Sequence, residues 1–428
     1  MGLGRDLTIR HSLLFEKRAK RLFLFVHDMY KYSKISELVS FMVWECRHKL
    51  RLFPKENYLK FKNHEVLSLK NGQLNKTYFS ESISDFFRSQ GLTIVSSEHN
   101  WKRLFINNKK EIFGSLYEDD RGLYKNSDGG SSVVFIKRFP QKIKSIFISS
   151  QDTIFVCTKG IVYKGTVKGD FKKSLDLGSS ESIFRHNNEM TETPDKTLII
   201  GEYGNIWDEN GWRRLAYLYF SPDEGETWER SDFLIKKGVN KHVHLVKYSK
   251  LFNKVFMADG DNYKKLWVSD AINSSDLKDP KKWKPINKFH IQMGGYTSIV
   301  ENDDKILFGT DYQGGTNFIV ETRDGKKFTN KIVPDPYRRS PIINMVQRKS
   351  KNGNEIWAVL PFSTANSKCL LMCSMDGGKS WFRALEYDKA NHHVGLISSS
   401  NEIADALYFS IEDLRNHDRV VYRIVDAV

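Results

Sequence analysis

Two octapeptides, Ser221-Pro-Asp223-Glu-Gly225-Glu-Thr227-Trp228 and Ser374-Met-Asp376-Gly-Gly378-Lys-Ser380-Trp381, share the pattern S-x-D-x-G-x-[ST]-W. Each follows a short apolar run of strand composition, at 215–220 and 369–373. The pattern dictates a hairpin turn. An Asp side chain accepts hydrogen bonds from N–H groups further along a turn. Glycine supplies the positive φ that a tight hairpin demands. The Ser or Thr hydroxyl bonds within the turn, and the Trp lays its indole on the sheet behind. Asp223 and Asp376 are therefore read as turn-formers and not as catalytic groups.

Degenerate copies give the turn a period. Asn126-Ser-Asp128-Gly-Gly130 keeps Asp and Gly without the Trp, and Thr322-Arg-Asp324-Gly-Lys-Lys-Phe328 puts Phe in the aromatic place. Ser269-Asp270, with Trp283 further on, reads as a copy with an insertion. From Asp223 through Asp270 and Asp324 to Asp376 the successive steps are 47, 54 and 52 residues. Repeats of that length, with β-rich runs between them, are the signature of a β-propeller. Such runs lie at 254–257, 305–308, 355–360 and 406–409, and 153–163 reads as a blade without the turn motif. The expected fold is a six- or seven-bladed propeller over 95–428, its last blade built from 394–397 and 419–424, after a basic, mostly helical extension at 1–94. Asp128, Asp223, Asp324 and Asp376 are expected at equivalent outer hairpins.

The extension differs in character. Residues 15–44 alternate apolar clusters with charges at helical spacing, and His27, Asp28, Lys31, Lys34 and Glu37 interrupt them too often for a membrane span. Residues 1–62 hold 14 Lys and Arg against 6 Asp and Glu, so +8 of the chain's +15 sits there. A helical cap on the propeller with a solvated basic face satisfies this pattern. So does peripheral contact with an anionic membrane surface through residues 10–51. Nucleic acid is not an expected partner, because no recognition motif accompanies the charge. Four scattered cysteines suggest no disulfide framework, and Cys369 and Cys373 read as buried thiols. No signal peptide is read at the N-terminus, which makes a cytoplasmic location, peripheral to the inner membrane in the membrane reading, the default expectation.

Propellers present ligands at one mouth of the central channel. Polar residues at strand ends with no turn duty are the candidates. The strand-like run 197–200 delivers Glu202, Tyr203 and Asn205, a carboxylate, a phenol and an amide suited to acid–base work or to sugar hydroxyls. His242 and His244 are two apart, so in a strand they share a face, as two metal ligands must. Asp259 and Asp261, Gln292 and Tyr296, and Asp311 and Asn317 follow in the next blades. Ordinary structural roles compete: a Gly-Asp-Asn cluster makes turns, and paired histidines are commonly hydrogen-bonded in a core. The site expected from position is an open polar pocket in which Glu202, Tyr203, His244 and Asp261 are catalytic. Asn205, His242, Gln292, Tyr296, Asp311 and Asn317 would bind ligand there. A divalent metal would draw on His242 and His244, with His186, Gln292, His392 or His393 completing the set.

The octapeptide resembles the Asp-box (BNR) repeat of sialidase-like β-propellers. The order Gly201-Glu-Tyr-Gly-Asn205, Ser221–Trp228, His242-Val-His244, Gly260-Asp261, Gln292, Gly309-Thr310-Asp311 is similar to a group of bacterial BNR-repeat proteins described as sialidase-like or glycosyl-hydrolase-like. The resemblance spans about 185–385 and implies a role in glycan metabolism. It departs from true sialidases, which carry an R-I-P segment and an arginine triad. Neither is present, and Arg185, Arg338 and Arg339 show no triad spacing. Propeller polysaccharide lyases with a His-bound metal are a second resemblance. Two classes stay open: an enzyme that hydrolyses or eliminates from a glycan, including an anionic one, and a propeller that binds a glycan or protein without turnover. For hydrolysis, a second carboxylate about 5–10 Å from Glu202 across a cleft is required.

Overall fold

The computed structural model describes residues 23–24, 26–27, 30, 35–63, 66–69, 74, 84–127, 132–208, 211–239, 241–260, 265–286, 295–312, 315–362 and 368–427. Seven antiparallel sheets, at 101–138, 145–176, 190–231, 243–285, 295–332, 344–387 and 392–426, are arranged as a seven-bladed propeller. They are called blades 1 to 7 in that order. Within blades 2 to 6 the strands pair in sequence order, so each blade is a four-stranded meander whose first strand is innermost.

The blades pack face to face, and their middle strands are apolar on both sides. In blade 3 the second strand, Leu198–Gly201, shows why. Leu198 and Ile200 join Phe155 and Val156 of blade 2, whereas Ile199 joins Val243, Val246 and Met257 of blade 4. The period of two is kept, but both faces meet a neighbouring sheet, so the run reads as continuous apolar sequence.

The turn motif is built as its residues dictate. Asp223 lies between the third strand of blade 3, Leu218–Ser221, and the fourth, Glu229–Ser231. Its carboxylate accepts the Thr227 N–H at 2.9 Å and the Thr227 hydroxyl at 2.6 Å, while Ser221 Oγ takes the Gly225 N–H at 2.8 Å. Gly225 has φ +75°, and Trp228 Nε1 donates to Ser174 Oγ of blade 2 at 2.8 Å. Asp376 repeats the arrangement with Ser374, Gly378 and Ser380 in blade 6. Asp324 takes the Lys326 and Lys327 N–H groups in blade 5. Asp270 begins the corresponding connection of blade 4, where two short helices, Ser274–Leu277 and Pro280–Lys282, fill the insertion before Trp283. Asp128 lies outside the described residues.

Two features depart from the expected boundary at 95. Leu92–Ser96 is the outer strand of blade 7, antiparallel to Arg419–Asp426. The ring is therefore closed by a strand from before the first blade. Ahead of it, residues 58–63 and 66–69 run along the outer edges of blades 5 and 6. Leu59 N donates to Ile332 O at 2.8 Å, Lys62 N to Trp381 O at 2.9 Å and Leu69 N to Glu386 O at 2.9 Å. The helix Ile35–Lys49 docks at one end of this strap. Glu45 bridges Arg338 at 2.6 Å and Arg339 at 2.9 Å, and Trp44 meets Phe318 edge-on. These arginines thus anchor the extension. Val39, Met42 and Val43 of the helix stay exposed. No helix among the described residues is long and apolar enough to cross a membrane.

Candidate ligand-binding face

In each blade the inner strand begins where the second strand ends, at the opposite face from the Asp turns. Val243 pairs with Asp259 and Gly295 with Asp311, which places the starts of inner strands beside the ends of second strands. Glu202, Tyr203, His242, His244, Asp259, Tyr296 and Asp311 therefore share one face. Asp261 and Gln292 lie outside the described residues.

Blades 3 and 4 are locked together at this face. Val243 N donates to Glu202 O at 3.0 Å and Leu215 N to Lys241 O at 2.6 Å, and within blade 4 Gly260 N donates to His242 O at 2.7 Å. The glycines of the sequence motifs permit the approach. A Cβ on Gly201 would lie 2.6 Å from Val243 Cγ1, and one on Gly260 would lie 2.5 Å from His242 Cδ2.

An aromatic stack follows. The Tyr203 and His242 rings are 4.1 Å apart, His242 and His244 are 4.9 Å apart, and the Arg185 guanidinium lies 5.2 Å from the centre of the Tyr203 ring. His242 Nδ1 is 2.7 Å from Gly204 O, which as an acceptor fixes that nitrogen as the N–H. Asn205, exposed, donates to Tyr203 Oη at 2.8 Å. The two histidines do share a side, as their spacing required, but both are buried.

Burial overturns the expectation of an open polar pocket lined by Glu202 and His244. Glu202 is wholly buried, accepting from Tyr219 Oη at 2.6 Å and Gly178 N at 3.0 Å. Burial raises its carboxyl above the ordinary value, against hydrogen bonds from Ser182, Tyr219 and Gly178. It braces the second and third strands of blade 3 from inside. Asp259 is likewise enclosed, with Trp267 Nε1 at 2.8 Å and Lys265 N at 3.1 Å. Asn317 is buried and its amide is fully engaged by backbone, with Tyr312 N and O each at 2.8 Å and Arg338 O at 3.2 Å. Tyr296 packs edge-on against Phe308 in the core and has its hydroxyl pushed up by burial. Asp311 is half-buried at the end of its strand. Tyr203, Asn205 and Asp311 are the candidates that reach the surface.

The histidines proposed to complete a metal set lie elsewhere. His186 sits on the segment 184–188, which crosses the middle of the ring. Its Nε2 is 3.0 Å from Leu104 O of blade 1 and 3.2 Å from Ile397 O of blade 7, and Ile146 N of blade 2 is 3.4 Å from its Nδ1. Burial and the nearby Arg103 charge lower the His186 ring to about 3, so it is neutral. Asn188 ties the same segment to blades 4 and 5, through Val246 N at 2.7 Å and Thr297 O at 3.0 Å. His392 and His393 belong to the inner strand of blade 7. Among the described residues no group of three or more His, Cys, Asp or Glu side chains could hold a metal.

The open part of the face is one that sequence inspection passed over. Between the second and third strands of blade 3, Trp207–Asp208 pairs with Gly211–Trp212 as a small hairpin. Trp207 is 62% exposed and meets Trp212 edge-on at 5.0 Å. The Lys241 ammonium lies 4.1 Å from the Trp212 ring, beside His242, and Arg213 and Arg214 are exposed on the same connection. The signal was present: Asn-Gly at 210–211 between two tryptophans is a hairpin cue. Glu189, buried beside Arg185 and raised by burial, was also missed. Nothing in its surroundings in sequence marks it.

No protein-family model matches the chain, and no curated protein matches it. Solved structures are similar in fold. The selenomethionine-substituted virginiamycin B lyase from Staphylococcus aureus is 14% identical, over 78% of this chain and 98% of its own, with a TM-score of 0.51. A catalytically inactive histidine-to-alanine variant of virginiamycin B lyase from Staphylococcus aureus, with quinupristin, is 13% identical over the same shares, with a TM-score of 0.52. A streptogramin B lyase is 12% identical over 78% and 98%, with a TM-score of 0.51. This chain is thus similar in fold to virginiamycin B lyase-like seven-bladed propellers.

Proposed function

We propose that this propeller is a glycan-binding protein whose recognition surface is the blade 3 hairpin and the ends of the strands beside it. One observation carries the reading: Trp207, Asn205, Arg213 and Arg214 are exposed together at this face, while Glu202, Asp259 and the two imidazoles are buried beneath. Trp207 offers an open ring face for the apolar side of a sugar, and Asn205 offers an amide for its hydroxyls. Arg213 and Arg214 bias the surface toward an anionic glycan, as electrostatic complementarity requires. The Asp-box resemblance points to the same ligand class. Glu202 supports the frame and does not meet ligand.

A second reading, turnover, is favoured by the Tyr203–His242 stack with Arg185 over the phenol. Tyr203 reaches the surface there and would act as the base in an elimination. Lyases among the proteins of similar fold make that chemistry compatible with the scaffold.

The test is titration calorimetry of the purified chain against neutral and acidic bacterial surface oligosaccharides, with product analysis of the same mixtures. Binding to an acidic member, weakened at least tenfold in Trp207→Ala with an unchanged melting temperature, is the expected result. Equal binding by Trp207→Ala, or no binding across the panel, overturns the assignment. Unsaturated products abolished in Tyr203→Phe would establish the second reading in place of the first.

A further inference from the structure

The segment 184–188 borders a partly open pocket lined by Arg185, Asn187, Lys247, Ser399, Ser400 and Asn401 among others. Two of these groups are set up for a ligand. The Lys247 ammonium makes no hydrogen bond or ion pair among the described residues. Both amide atoms of Asn187 are buried without a partner, and its backbone is held at φ +78°, a left-handed conformation. The acids nearby are engaged elsewhere. Glu301 attracts Lys247 through space, but its carboxylate accepts the Ser249 hydroxyl and the Leu251 N–H at 2.9 Å. Glu402 pairs with Lys250, and Glu189, which accepts the Arg185 backbone N–H, also lies 3.8 Å from the Arg185 guanidinium. Burial disfavours the Lys247 charge, and Arg185 adds a second cation to the same wall.

We propose that this cavity is a binding site for one small inorganic anion. It would be held by the Lys247 ammonium, the Arg185 guanidinium and the Asn187 Nδ2–H, with the Ser399 and Ser400 hydroxyls alongside. The physical reason is that the buried Asn187 N–H and the half-buried Lys247 ammonium lack acceptors, and one anion would accept from both. The strained Asn187 conformation is then the one that brings its amide to the ion. The site shares Arg185 with the Tyr203 stack but no residue with the Trp207 hairpin, so this assignment and glycan binding at Trp207 can fail separately.

The probe is bromide. Wild-type protein should melt at a midpoint that rises with sodium bromide relative to sodium gluconate at matched ionic strength, as linkage to a native-state ligand requires. Bromide-soaked crystals should show an anomalous peak between Lys247 and Asn187. Lys247→Met should lose the bromide-specific rise. Asn187→Asp, which tolerates the left-handed backbone and supplies a fixed negative charge, should lose it too, and serves if the lysine variant does not fold. An equal bromide response in wild type and either variant overturns the proposal, as does a soaked crystal with no peak in the cavity.

Discussion

Replacing Glu202 separates a structural carboxylate from a functional one. Its Oε2 takes two donors that no other group serves, Tyr219 Oη at 2.6 Å and Gly178 N at 3.0 Å. Glu202→Ala would leave both buried. At about 1–3 kcal/mol for each unsatisfied donor, the loss is about 2–6 kcal/mol. With about 1 °C per kcal/mol in a chain of this size, the midpoint should fall by roughly 2–6 °C. Glu202→Gln keeps an acceptor for both donors and presents an N–H to Ser182, so it should hold the fold. The pH dependence gives the sharper test. Burial raises the Glu202 carboxyl above 4.5 in the folded chain. The folded state therefore binds that proton more tightly than the unfolded state. This contribution is complete below pH 4.5 and is lost as pH rises through the folded value. Glutamine does not titrate. The midpoint of Glu202→Gln should accordingly gain on wild type as pH rises above 4.5 and level off once the folded carboxyl has ionised, measured by thermal melts in a constant-ionic-strength buffer series. A glutamine variant as unstable as the alanine variant, or one that loses ground to wild type as pH rises, would refute the reasoning and restore an ionised, functional Glu202.

The turn aspartates carry the opposite sign. Burial raises the Asp223 and Asp376 carboxyls, but the turn hydrogen bonds outweigh it and hold both below 3.8. Their stability is present above that value and lost as pH falls through the lower folded one, so melts should collapse below about pH 4 in wild type. Asp376→Ala, expected to cost about 1–2 kcal/mol for a lost cap-like side chain, should flatten that acid limb. Truncation tests ring closure. Deletion of residues 1–52 should preserve a cooperative melt, whereas deletion of 1–96 removes the outer strand of blade 7 and should abolish it. The same 1–52 deletion tests the basic helix as a membrane contact: full-length protein should sediment with anionic vesicles in low salt, release in high salt, and fail to sediment once truncated.

Much of the architecture was written locally. The S-x-D-x-G-x-[ST]-W turns are self-contained, because donor and acceptor lie within seven residues of each other, and their spacing set the blade repeat. The seventh blade was readable from 394–397 and 419–424, but its fourth strand was not. Leu92–Ser96 pairs with residues more than 300 positions away, and a strand's own composition does not name its partner. The site divided in the same way. Sequence placed Glu202, His242 and His244 on one face, since strand direction and a period of two fix that much. Whether those groups face water depends on how close blade 4 lies to blade 3, and the glycine at 201 brings them into contact. Tertiary packing therefore buried the carboxylate and the imidazoles, left the Trp207 hairpin open, and drew Arg185, Asn187 and Lys247 around one cavity on the axis.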